Sequence, residues 1–180
     1  IEHMGIITFA FGMGGPLANF AGLMHMTMHS LAKSAIFFGV GIITQNTGTK
    51  RMAEISGLTV RWPWLGWGFV AAVLAIAGLP PLGIFMSEFL VVSSTFAREP
   101  LLAIPLMLGL LLTFGALIIR LQGMAFGEPG RHAGLPANSR ILEVVALIPL
   151  YLHLVLVLVA GLYLPASLVS WFQSVARLLG

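Results

Sequence analysis

Of the 180 residues, 58% are hydrophobic and only 8% are charged, with a formal net charge of +3 and a mean hydropathy of +1.00. Soluble domains carry about 25% charged residues, so this chain has too little charge to cover a water-facing surface, and lipid is its bulk solvent. With no cysteine, disulfides, thiolate metal sites and a thiol nucleophile are excluded. The nine Lys and Arg lie scattered between apolar runs, a membrane-topology pattern that excludes a phosphate-tracking nucleic-acid surface.

The chain opens Ile1, Glu2, His3, Met4 without the basic n-region of a signal peptide. It is therefore expected to be the C-terminal part of a longer membrane subunit. The first apolar run, Met4 to Phe20, is loosened by Gly12, Gly14, Gly15 and Pro16, and the second runs from Ala21 to Ile43. A polar loop from Thr44 to Arg61 follows. The stretch Trp62 to Ala97 is long for one span and short for two. Pro80 and Pro81 interrupt it, each removing a backbone donor. Read as two spans, it separates Lys50, Arg51, Arg61 and Arg98 from Arg120, Arg131 and Arg140. Read as one broken crossing, it places Lys50, Arg51, Arg61, Arg120, Arg131 and Arg140 on one side, opposite Arg98 and Arg177. The positive-inside rule favours the broken crossing, with the basic loops cytoplasmic. Leu101 to Gln122 is a further span, a Gly- and Pro-containing loop reaches Arg140, and Ile141 to Leu164 is the last span. After Pro165 the tail is amphipathic, with Leu168, Trp171, Phe172, Val175 and Leu179 set against Ser170, Gln173, Ser174 and Arg177. The expected fold is an all-α membrane protein of about five transmembrane helices, one discontinuous. Residues 1–164 form the transmembrane domain and 165–180 an interfacial helix.

Lys33 lies about 15 Å from the end of its helix, too deep for its side chain to reach the interface. A cation at that depth marks an ion pathway or relay. His25 and His29 precede it at spacings of four, which puts the three on one helical face and suggests a proton wire closed by waters. The competing reading is a hydrogen-bond ladder that glues helices. Glu88 sits just beyond the Pro80–Pro81 break, where unpaired backbone is tolerated only against protein or a wet cavity. It is a proton carrier, the partner of a lysine, or half of a structural salt bridge. His3 is equally a relay member or an interface residue. Ser30 and Lys33 match S-x-x-K, but mid-span and without companion motifs. His25 and His29 have zinc spacing, but the glutamate of H-E-x-x-H is absent and no third ligand is evident, so no metal site is expected. The glycines at 12–15 suit helix packing and not a phosphate loop. His153 reads as a packing residue and Arg120 as a snorkelling one.

Three segments carry a resemblance: Ile1 to Ile6; His25 to Ser34 with its His25, His29 and Lys33; and Gly78 to Phe89 with its double proline and Glu88. Together they resemble the antiporter-like membrane subunits of respiratory complex I, Mrp-type cation/proton antiporters and group 4 membrane-bound hydrogenases, nearest the hydrogenase branch. The resemblance implies about fourteen helices in two inverted five-helix repeats, each with a broken helix, of which this chain holds the last five. It places His3, His29 and Lys33 on the central hydrophilic axis. Glu88 falls on the terminal broken-helix position, which is glutamate in some members and lysine in others.

The expected function is proton translocation within a redox-driven complex of the hydrogenase or NADH:quinone oxidoreductase type. The alternatives are a structural membrane anchor for such a complex and a sodium/proton antiporter subunit. No flavin, iron–sulfur, haem or nicotinamide motif is present, so no cofactor is expected here and electron transfer falls to partner subunits. The expected partners are other membrane subunits, a peripheral redox arm and the lipid bilayer, in a bacterial or archaeal cytoplasmic membrane.

Overall fold

The computed structural model describes residues 2–128 and 140–179, with the side chains of 140–143 outside the description. The positions expected for Arg131 and for the side chain of Arg140 therefore lie outside the described residues. All regular structure among them is helical: α1 Glu2–Met13, α2 Pro16–Thr47, α3 Leu58–Arg61, α4 Pro63–Ile76, α5 Gly83–Arg98, α6 Pro100–Ala125, α7 Arg140–Leu162 and α8 Ala166–Leu178. Three stretches are long and apolar enough to cross a membrane: Pro16–Thr47, Pro100–Ala125 and Val144–Leu162, the last two with a mean hydropathy of 2.5.

The boundary between the first two helices differs from the sequence expectation. Gly14 and Gly15 adopt φ of 63° and 83°, which only glycine takes cheaply, and Pro16 supplies the fixed φ of a first helical turn. The Gly-Gly-Pro run thus ends α1 outright and starts α2, so Leu17 to Phe20 belong to the second helix. The carbonyls orphaned at the end of α1 are met from elsewhere in the fold. Arg98, the last residue of α5, donates from Nη1 to Met13 O at 2.8 Å and to Gly14 O.

α2 is the mast of the bundle. Its 32 residues run about 48 Å at ~1.5 Å each, beyond the ~30 Å of a hydrocarbon core. α4 and α5 lie end to end along it, antiparallel. Phe69 of α4 covers Gly39, Gly83 meets Met28, His25 bonds Ser87, Val91 packs in one cluster with Ala21, and Arg98 closes on Gly14. This march along one neighbour makes 62–98 a single interrupted crossing, as the charge pattern anticipates. Arg61 and Arg98 therefore stand at opposite ends of α2. At the Arg61 end, Thr59 Oγ1 donates to Ala125 O at 2.7 Å and Ser56 to Glu128 O at 2.9 Å, which ties the two basic loops together.

α7 lies against the break. Tyr151 donates to Trp64 O at 2.7 Å, and Gly161 lets the backbone approach so closely that a methyl group there would overlap the Pro81 carbonyl. The main apolar core gathers Met28, Ala32 and Ala35 of α2, Ala72 and Ala75 of α4, Ile84 of α5, and Leu150 and Val157 of α7. α8 is a separate amphipathic helix. It turns Phe172 and Ala176 inward onto the start of α2, with Phe172 edge-on to Phe20 and Asn19 Nδ2 donating to Ala176 O at 3.3 Å. Trp171 and Leu178 stay outward.

Candidate functional site

The ionisable residues converge where α1, α2 and α5 meet beside the break. α1 brings in His3, α2 brings in His25, and the first turns of α5 bring in Ser87 and Glu88. His25 is fully buried, and so is Ser87. Ser87 donates its hydroxyl to Ile84 O at 2.8 Å, so its oxygen accepts from His25 Nδ1 at 2.9 Å. That fixes His25 as the Nδ1–H tautomer and leaves Nε2 with its lone pair. His25 Nε2 lies 3.1 Å from His3 Nδ1, so His3 is the donor. The result is a directional chain from His3 through His25 and Ser87 to Ile84 O, every link anchored in buried structure.

Glu88 stands beside this chain, with Oε1 3.9 Å from His3 Nδ1. Its other oxygen lies against the α-carbon of Gly78, where φ is 73° and any side chain would collide with the carboxylate. The glycine thus serves twice, as the left-handed residue ending α4 and as the floor under Glu88. The end of α4 is closed on itself. Ala77 N donates to Val73 O, Gly78 N to Ala75 O and Leu79 N to Leu74 O. Among the described residues the nearest charged or chargeable partner of Glu88 is His3, and no Glu88–Lys33 ion pair forms.

The His25, His29, Lys33 stripe does not share one environment. His25 is buried, His29 half-buried and Lys33 exposed. Four residues of a 3.6-residue helix advance about 40° beyond a full turn, so an i, i+4 ladder winds off the face on which it starts. At the outer end of this stripe the Lys33 ammonium lies over the Phe37 ring, 5.6 Å from its centroid. Lys33 nevertheless lines a cavity of about 710 Å³ together with Glu2, His3 and Thr113, and with Lys50 and Arg120 towards the basic loops. A second cavity, of about 420 Å³, holds Glu2, Gly78, Glu88 and Phe114. The two share Glu2 and flank the His3–Glu88 pair. His29 rests its ring 4.8 Å from that of His3 and 6.3 Å from that of His25, and its buried Nδ1 has no hydrogen-bond partner among the described residues.

Sequence reasoning passed over Ser87 and Glu2. Each stands next to a residue that it singled out, and a polar neighbour in an apolar run was the available signal. His153 is correctly set apart: its Nδ1 donates to Pro149 O at 2.7 Å, on α7 and facing Phe38. Ser30, donating to Met26 O at 2.8 Å and exposed, has no nucleophile's setting.

The profile of the NADH:quinone oxidoreductase/Mrp antiporter transmembrane family matches residues 1–114. A hydrogenase-4 component F homolog from Methylacidiphilum infernorum is 58% identical over 179 residues, 99% of this chain and 36% of that protein. The Mrp complex of a Dietzia species contains a chain that superposes with a TM-score of 0.84 at 21% identity, covering 98% of this chain and 40% of that one, which speaks for the fold. Respiratory complex I from Thermus thermophilus superposes with a TM-score of 0.79 at 25% identity, over 99% of this chain and 38% of that one. The present chain thus spans a little over a third of the length of each of these proteins. With its apolar helices, its broken crossing and this match over most of its length, the chain is an integral membrane protein of the NADH:quinone oxidoreductase/Mrp antiporter transmembrane family.

Proposed function

We propose that the chain is part of a proton-translocating membrane subunit in a redox-driven complex, and that His3, His25, His29, Lys33 and Glu88 form its proton pathway. The observation that carries this reading is the oriented bond from His3 to His25 and on to Ser87, with Glu88 alongside and a cavity on either flank. A proton arriving at His3 Nε2, which faces Glu2 Oε2 at 4.0 Å, releases the Nδ1 proton towards His25 or, after a small ring movement, towards Glu88. The larger cavity connects this point past Lys33 to Lys50 and Arg120. Moving one charge through 100 mV requires about 2.3 kcal/mol, which the redox reaction of partner subunits supplies as a change of field on Lys33 and Glu88.

The relative named as a hydrogenase-4 component F homolog and the neighbour in respiratory complex I support partners of the same kind: other membrane subunits and a peripheral redox arm. The basic loops at the Arg61 end support a cytoplasmic-facing assignment of that end, in a bacterial or archaeal inner membrane. Glu88→Gln in the full-length subunit, within its complex, is the test. Glutamine keeps size and hydrogen-bonding capacity but cannot ionise. Redox-driven proton uptake into vesicles is expected to fall to near background while a native gel shows intact assembly. Wild-type uptake in the assembled variant removes Glu88 from the pathway and favours an anchor.

A further inference from the structure

The His25–His29 pair has no third metal ligand in sequence, but the fold supplies other candidates from two further helices. One ligand atom each from His3, His25 and Glu88 lie within 4.8 Å of one another. We propose that His3 Nδ1, His25 Nε2 and Glu88 form a three-ligand site for Zn²⁺, in which the metal takes the place of the proton shared by the two imidazoles.

The geometry is close to what the ion requires. Zn–N bonds of about 2.0–2.1 Å in tetrahedral array set ligand atoms roughly 3.3 Å apart. The two histidine nitrogens are 3.1 Å apart, and Glu88 Oε1 lies 3.9 Å from His3 Nδ1. A shift of the Glu88 side chain towards the ion, away from the Gly78 floor, closes the remaining gap. The outer contacts are already in place. Ser87 accepts from His25 Nδ1, which holds that ring with its Nε2 lone pair aimed at the ion. On binding, the Nδ1 proton of His3 leaves and its ring carries a proton on Nε2 instead, opposite the Glu2 carboxylate. Two neutral imidazoles and one carboxylate leave a net single positive charge. Glu2 offsets it, against Lys33 on the wall of the same cavity. Water completes the tetrahedron as the fourth ligand.

The binding stands on this geometry alone. Its consequence, arrest of proton movement because the metal holds both exchanging nitrogens and the carboxylate, rests on the proton-translocation reading. The test is Zn²⁺ itself, titrated into the purified complex carrying the full-length subunit, with bound zinc measured after buffer exchange and its ligands read by X-ray absorption. The wild-type complex is expected to hold one more Zn²⁺ than the His25→Gln and Glu88→Gln variants, with an imidazole signature that both lose. Ser87→Ala keeps every ligand but drops the outer partner of His25, and is expected to weaken that site by about 10–100-fold. Native gels verify assembly of each variant. Equal zinc content and equal ligand signature in wild type and all three variants overturn the site. Zinc seated at the site with undiminished proton uptake overturns the arrest. No redox-driven uptake in the zinc-free wild type overturns the proton reading, while the difference in zinc content still decides the site.

Discussion

Ser87 shows how much a neighbour decides at the scale of one residue. A histidine buried in apolar surroundings has two nitrogens to satisfy, and which one carries the proton depends on the groups facing them. Because the Ser87 hydroxyl is spent on Ile84 O, its oxygen can only accept, and His25 is locked with Nε2 open towards His3. Ser87→Ala leaves the His25 Nδ1–H buried without a partner, at a cost of about 1–3 kcal/mol. The expected outcome is a lower unfolding temperature for the detergent-solubilised subunit, together with slower proton uptake because His25 is no longer oriented. Ser87→Thr, which keeps the hydroxyl, is expected to recover most of the uptake. Failure of threonine to do better than alanine would show that the hydroxyl has no orienting role.

At the scale of the element, the interrupted crossing exists because several residues agree. Pro80 and Pro81 forbid a continuous helix, Gly78 turns the end of α4 with φ 73°, and Gly161 on α7 clears space for the Pro81 carbonyl and the amide of Gly83. Gly161 is remote in sequence from the break and carries no chemistry, yet the break is packed against it. Gly161→Val forces apart backbone that has no room to yield. A loss of about 1–3 kcal/mol is expected, measured as a lowered thermal midpoint. Proton uptake is expected to fall with it, since Glu88 is positioned from the same segment. The far end of the crossing is held differently. Arg98 closes onto the last carbonyls of α1, and a side chain at Gly15 would meet its guanidinium. Arg98→Met keeps the aliphatic stem but leaves those carbonyls unmet. Faster hydrogen exchange confined to the α1–α2 turn is the expected result.

For the whole molecule, topology is the first thing to check. α2 reaches from the Arg98 end to the basic-loop end, and α4–α5 retrace it once, so Lys50 and Glu99 stand at opposite ends of the bundle. The chain contains no cysteine of its own, so Lys50→Cys and Glu99→Cys report against a silent background within it. An impermeant thiol reagent is expected to label them from opposite faces of the membrane. Labelling of both from the same face would mean two separate spans. The outer face of α6 exposes Leu101, Leu108, Leu111, Leu112 and Ile119, as suits a lipid- or protein-facing helix, and its exposed polar residues Arg120 and Gln122 fall at the basic-loop end.

Composition alone was enough to specify a membrane bundle, because a chain with 8% charged residues has no water-compatible surface to offer. Prolines and the distribution of Lys and Arg were enough for the interrupted crossing, since a missing amide and a misplaced cation are costly wherever the segment sits. His3, His25, His29, Lys33 and Glu88 were each conspicuous for the same reason: an ionisable group at bilayer depth has to be explained. Their mutual arrangement was beyond the sequence. Helical spacing put His25, His29 and Lys33 in a row, but it could not show how that row winds from buried to exposed as α2 turns against its neighbours. Nor could spacing bring His3, 22 residues away, onto His25, or Ser87, 62 residues away, beneath it. Those contacts arise from packing three helices around one break. Packing depends on the summed shapes of side chains distant in sequence, so tertiary structure alone decided which of these residues touch.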